Sequence, residues 1–336
     1  SGLTFSQAVA TPSYTSPPSQ LLGYASARGD ITEASANQSS RPTLTVNSAL
    51  GSPALSFTGA GWHCRNFIVT AGSGSFSNGI TSASSYVLFH NCKVSGHSAI
   101  GLSITSSHGL ISACEVTASA GASATGINVT GTVPSTIERC YVHDAQGVGI
   151  VCGGTADIVN CIVANLTGAT ADGIQNNNLG RILNCTVYSA GRHGINMTAS
   201  SWANRVRGNI LANNPGYGFT NTTGPGLPAN PETDGNAFYL NSIGNRNTTN
   251  LDDTSVNAVN GVGPYANAFD VTLTSSPFVN AVGGDFRLNN TPGGGASCRG
   301  SAPMNALPGL SSAGYRDMGA IQHQDFGTTY VSFLEG

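Results

Sequence analysis

Apolar and polar positions alternate along the chain with a period of two, and the alternation breaks at regular intervals. One pattern, apolar-x-x-Cys-x-apolar, recurs as Cys64-Phe67-Val69, Phe89-Cys92-Val94, Ile111-Cys114-Val116, Ile137-Cys140-Val142, Ile158-Cys161-Val163, Ile182-Cys185-Val187 and Val206-Asn209-Leu211. Its middle column steps by 25, 22, 26, 21, 24 and 24 residues. A second column, a Gly followed by a large apolar residue, runs Gly79-Ile80, Gly101-Leu102, Gly126-Ile127, Gly149-Ile150, Gly173-Ile174, Gly194-Ile195 and Gly218-Phe219. Two columns holding one period over seven turns define a repeat. The period-two stretches are rich in Val, Ile and Thr and are punctuated by Gly, Asn and Ser, which predicts strands. Three short strands per turn of 21 to 26 residues predict an all-β, three-sided parallel coil. Each strand then pairs with its copy about 4.8 Å away. Leucine-rich repeats need a Leu-x-x-Leu-x-Leu pattern that is missing here, and helical repeats are longer, at roughly 33 to 47 residues.

The x-x gap before the Cys column reads as a corner. Asn66, Asn91, Asn160 and Asn184 occupy it, with Ala113, Arg139 and Gly208 in the other turns. Asn tolerates the left-handed backbone a tight corner needs, and stacked Asn side chains can bond along the axis. The coil is expected over residues 1–261, clearest at 60–240. Residues 1–50 read as irregular first coils carrying Tyr14, Leu21-Leu22, Tyr24 and Leu44-Thr45-Val46. Residues 262–336, with broken periodicity, read as a capping segment that folds back, followed by a tail.

On these columns the chain resembles the right-handed parallel β-helix superfamily, similar in architecture to pectate lyases, polygalacturonases and phage tailspikes. The resemblance covers roughly residues 40–260. The stretch from Ser276-Pro277-Phe278-Val279-Asn280 through Gly284-Asp285-Phe286-Arg287-Leu288 to Asp317-Met318-Gly319-Ala320 resembles the C-terminal end of many secreted bacterial and phage-associated β-helix repeat proteins. The resemblance implies an architecture and carries no reaction with it.

Cys64, Cys92, Cys114, Cys140, Cys161 and Cys185 fall on inward columns, and Cys152 takes the position of Val129 and Met197. They are expected as small buried hydrophobes in a ladder. Adjacent coils would bring Cα atoms within disulfide range, but stacked side chains point in parallel and disfavour bridging. Cys298 lacks a ladder partner and is expected to be free. The absence of a C-x-x-C pair argues against a zinc ribbon.

Composition narrows the function. Only 9% of residues are charged, against roughly 25% in ordinary domains. A net charge of −3 excludes nucleic-acid binding by phosphate neutralisation, and no apolar run is long enough to span a membrane. The 39% hydrophobic share, held in register, excludes disorder. The chain opens Ser1-Gly2-Leu3 without a signal-peptide pattern, which suggests a processed or truncated product.

The few titratable groups cluster in consecutive coils. His143, Asp144 and Gln146 come first, then Asp172, then Arg192 and His193, then Tyr217. Asp172, His193 and Tyr217 share the position before the Gly column. A carboxylate beside an imidazole can act as acid and base on a glycosidic bond, and Arg192 can hold the carboxylate of an acidic sugar. Ala169-Thr170-Ala171-Asp172-Gly173-Ile174 faintly resembles the Asn-Thr-Asp motif of polygalacturonases, and Gly191-Arg192-His193-Gly194-Ile195 their Gly-His-Gly motif. Their Asp-Asp pair and Arg-Ile-Lys motif are absent. The same positions read equally as a solvated polar ladder. No cofactor is expected. Calcium at Asp252-Asp253 is the one metal reading, against a solvated loop.

Two functions follow. The first is a non-catalytic structural or adhesive protein of the extracellular space, cell surface or virion surface, contacting glycans. The second is a polysaccharide lyase or glycoside hydrolase acting on an acidic polysaccharide along the first strand column. Open strand edges at the ends make the chain itself the expected partner, laterally or end-on.

Overall fold

The computed structural model describes residues 3–6, 19–23, 41–47, 51, 53–74, 76–119, 121, 123–132, 134–178, 180–198, 205–221, 232–247, 270–302 and 317–322. Tyr14 and Tyr24 lie outside these residues. Three parallel sheets wind around one core. Among the described residues, the first sheet holds 10 strands, from Leu3–Ser6 to Gly244–Arg246. The second holds 9, from Ser19–Leu22 to Glu232–Asp234, and the third holds 10, from Thr43–Val46 to Val271–Thr272. The first coil thus includes Leu21-Leu22 and Leu44-Thr45-Val46 as paired strands.

The registers follow the sequence columns. In the first sheet Leu55, Ile80, Leu102, Ile127, Ile150, Ile174, Ile195 and Phe219 stack in line. Val69, Val94, Val116, Val142, Val163, Val187 and Leu211 form the matching line in the third sheet. These side chains are almost fully buried, and each contributes about 1.5–3 kcal/mol of apolar burial. The Gly column is explained by close approach. A Cβ at Gly173 would lie 2.3 Å from Val187 Cγ1 and 2.6 Å from the Gly194 carbonyl oxygen.

Both corners flanking the third sheet use left-handed residues. Asn66, Asn91, Ala113, Arg139, Asn160, Asn184 and Gly208 take φ of 51° to 67° at the corner leading in. Gly96, Ala118, Asp144, Asn165, Ser189, Asn213 and Leu240 repeat the geometry at the corner leading out, with φ of 47° to 81°. Asn91 Nδ2 donates to Asn66 Oδ1 at 2.9 Å. The amide of Asn184 is buried without a side-chain partner.

The segment expected to cap the coil is placed partly along its side. Val271–Thr272 extends the third sheet. The antiparallel hairpin Phe278–Asn280 with Asp285–Leu288 then packs Phe278, Phe286 and Leu288 on the outer face of that sheet, against Ile162, Ala164, Ile210 and Ala212. Closure of the core end falls to Arg246, which continues the inward line after Phe219. Its guanidinium lies 5.5 Å from the Phe219 ring centroid and 5.4 Å from that of Phe238. It is bound to the Asp270 carboxylate.

Candidate functional site

The stacking of Ile174, Ile195 and Phe219 puts Asp172, His193 and Tyr217 at one register on successive coils, at the turn into the first sheet. Asp172 is fully buried. Arg192 Nε donates to its Oδ1 at 2.8 Å and Arg192 Nη2 to its Oδ2 at 2.7 Å. Asn196 Nδ2 adds a bond to Oδ2 at 2.7 Å, and the His193 backbone N–H one to Oδ1 at 3.3 Å. A carboxylate offers about four acceptor sites, so this one is saturated. The bond to Asp172 holds the Arg192 guanidinium above its ordinary pKa.

His193 does not reach Asp172 through its ring. Its Nδ1 accepts the Tyr217 backbone N–H at 3.0 Å, which leaves the proton on Nε2. The ring stacks on Tyr217 with centroids 5.8 Å apart. Burial, with the nearby Arg192 charge, keeps the imidazole below its usual pKa and so neutral. The cluster has one carboxylate and no free acid–base pair. It presents the half-exposed Arg192, a neutral imidazole donor and a phenol ring.

His143 and Asp144 lie apart from this cluster, at the outer face and outgoing corner of the third sheet. His143 Nε2 is 3.1 Å from Glu115 Oε1 and its Nδ1 is 2.7 Å from Asp144 Oδ2. Tyr141 stacks on the imidazole with centroids 4.1 Å apart, and Lys93 Nζ reaches Glu115 Oε1 at 2.8 Å. Although burial opposes both charges, His143 and Lys93 bring Glu115 down to a pKa of about 2. Burial lowers the His143 pKa, but its two carboxylate partners outweigh that and leave it raised. Gln146 is exposed and its backbone N–H donates to Ser119 Oγ at 2.8 Å. Glu115 and Lys93 were not among the sequence candidates. Each sits mid-strand in an ordinary polar position, and only the coil register joins them to His143.

All eight cysteines are buried free thiols. Cys64 is in register with Phe89, so it belongs to the apolar line before the corner and meets Cys92 diagonally, with Sγ atoms 3.9 Å apart. Cys92, Cys114, Cys140, Cys161 and Cys185 each donate to the carbonyl two residues earlier, at 3.3–3.4 Å. Burial pushes Cys298 up to about 12. Beyond Cys185 the thiol column becomes polar. Asn209 Oδ1 accepts the Cys185 N–H, Asn236 Oδ1 the Asn209 N–H and Asp270 Oδ1 the Asn236 N–H, at 2.8, 3.0 and 2.8 Å. Among the described residues no group of three or more His, Cys, Asp or Glu side chains is arranged to hold a metal ion. Asp252 and Asp253 lie outside those residues.

Similar solved structures are the pectate lyase Pel9A, at 13% identity and TM-score 0.49, with 83% of this chain and 86% of that one covered. An alginate lyase from Paenibacillus sp. str. FPU-7 overlaps at 13% identity and TM-score 0.42, with 63% and 80% covered. The catalytic domain of a GH87 alpha-1,3-glucanase in complex with nigerose overlaps at 12% identity and TM-score 0.32, with 73% and 68% covered. At these identities and scores no chemistry carries over to this chain. No curated protein matches it. Residues 78–243 match the family described as "Right handed beta helix region", and with three parallel sheets in the register given above, the chain is a right-handed parallel β-helix repeat protein.

Proposed function

We propose that the protein is a non-catalytic structural or adhesive β-helix of an extracellular, cell or virion surface, contacting glycans through Arg192, His193 and Tyr217. The observation that supports this reading is the state of Asp172, whose every acceptor site is occupied. Inverting or retaining hydrolysis needs two working carboxyls roughly 5–9.5 Å apart, and the column contains one, already spent. The remaining groups suit recognition, since a phenol and an imidazole give a face for a sugar ring and Arg192 gives donors. Few charges and a stiff core suit an exposed setting, and no described helix is long and apolar enough to cross a membrane.

A glycan array tests the reading. Binding that falls about tenfold on Tyr217→Ala, equivalent to about 1.4 kcal/mol, supports it. An array with no bound glycan, or binding untouched by Tyr217→Ala and Arg192→Met, overturns it. Self-association is part of the proposal, and light scattering across a concentration series is expected to show oligomers. A strict monomer would contradict that part alone.

A further inference from the structure

The outer face of the second sheet carries a cationic patch that its surroundings do not neutralise. His63 and Arg65 flank the buried Cys64 in the strand Trp62–Arg65, so both point outward. Arg65 lies between Leu22 and His90 on the adjacent coils, and His63 between Gln20 and Leu88. The first carboxylates along these two rows are Glu138 and Asp157. Both are occupied, Glu138 by Arg139 and Asp157 by Arg181.

Arg65 stands out among the arginines. Arg139, Arg181, Arg192, Arg246 and Arg287 each grip a carboxylate. Arg65 makes no hydrogen bond or ion pair with a described residue, and its Nε is buried without an acceptor. A buried donor left unpaired is unfavourable, and a guanidinium fork is shaped for a planar or tetrahedral oxyanion. Burial and the Arg65 charge hold the His63 imidazole below its usual pKa, the response of a second cationic group beside an unneutralised charge.

We propose that Arg65 and His63 form an oxyanion-binding site, taking a sulfate, phosphate or carboxylate group on the Arg65 fork with His63 as a second donor. The site stands on a different sheet from Arg192, His193 and Tyr217, and does not depend on the glycan reading. Proton transfer plays no part in it.

The test is a titration with inorganic sulfate, followed by the His63 ring resonance. Saturable binding is expected, with the His63 midpoint moving up as the bound anion favours imidazolium. Arg65→Gln is expected to weaken binding about tenfold or more. Arg65→Lys, which keeps charge and loses the fork, is expected between the two. Arg287→Gln on the distant hairpin should bind as the parent does. Circular dichroism on each variant reports folding. Parallel titrations with phosphate, and with polygalacturonate against neutral dextran, separate a free ion from a polymer-borne group, and saturation by either supports the site. No saturable shift at His63 with any of these anions, or equal affinity in a folded Arg65→Gln variant, overturns it. Tyr217→Ala should leave sulfate binding intact, so failure of the glycan reading and failure of this site are distinguishable.

Discussion

Arg192 grips Asp172 across one coil with two parallel bonds, Nε to Oδ1 at 2.8 Å and Nη2 to Oδ2 at 2.7 Å. The carboxylate is fully buried while the guanidinium is 42% exposed. The pair ties two successive turns into the first sheet, and removing one partner strands a buried charge. Arg192→Met is expected to lower unfolding free energy by about 2 kcal/mol, less than the 3–5 kcal/mol of a wholly buried pair because water already screens the guanidinium. Urea denaturation of variant and parent measures it, and a loss below 0.5 kcal/mol would show that the pair is incidental.

His97 makes folding sensitive to mild acid. It is fully buried, neither ring nitrogen has a partner, and burial lowers its pKa from 6.5 to about 4. Between these values the unfolded chain takes up a proton that the folded chain refuses. The contribution is therefore intact above pH 6.5 and falls away as pH drops toward about 4, by about 3 kcal/mol over the whole shift. His97→Leu should flatten stability across this window. An unchanged slope would mean that His97 protonates in place.

Glu115 governs a second, more acid window. Its folded pKa of about 2 lies below the ordinary 4.5, so its contribution is complete above pH 4.5 and lost as pH falls through about 2. His143, its partner, is shifted upward. Its contribution is complete below its ordinary 6.5 and lost as pH rises through the folded value. Both shifts describe largely one bond. Glu115→Gln is expected to cost about 2 kcal/mol at neutral pH, remove the lower acid limb and lower the His143 midpoint seen by NMR. A His143 midpoint that stays in place would assign its shift to Asp144 alone.

Ala113 occupies the incoming corner at φ 52°, where an L-residue other than Asn is strained by roughly 1 kcal/mol. Ala113→Asn should relieve part of that strain and extend the bond between Asn66 and Asn91 by one coil, raising thermal stability by about 0.5–1 kcal/mol. A lower melting temperature would show that the corner has no room for the amide.

The winding was legible because it is written in period. Ile127, Ile150, Ile174 and Ile195 recur beside Gly, and neighbouring coils select the same residue at the same place for the same packing reason. The incoming corner could be read from its Asn residues. The outgoing corner could not, because Gly96, Ala118, Asp144, Asn165, Ser189, Asn213 and Leu240 share a backbone angle and no chemistry. Arg246 was hidden for a related reason. It fills an apolar position in the last coil, where two aromatic rings and Asp270 make an inward charge tolerable. At the candidate site the sequence placed Asp172, His193 and Tyr217 in one column, but spacing says nothing about which way a side chain turns. Asp172 faces Arg192 and Asn196, and the imidazole faces a backbone N–H.

Turnover tests the reading of Asp172 most directly. The protein, incubated with acidic and neutral polysaccharides that it binds, is followed for new reducing ends and for the ultraviolet absorbance of unsaturated ends. A saturated carboxylate and a neutral, backbone-bound imidazole predict binding without product, for the parent and for His193→Ala alike. Product formed by the parent and lost in a folded His193→Ala variant would contradict it.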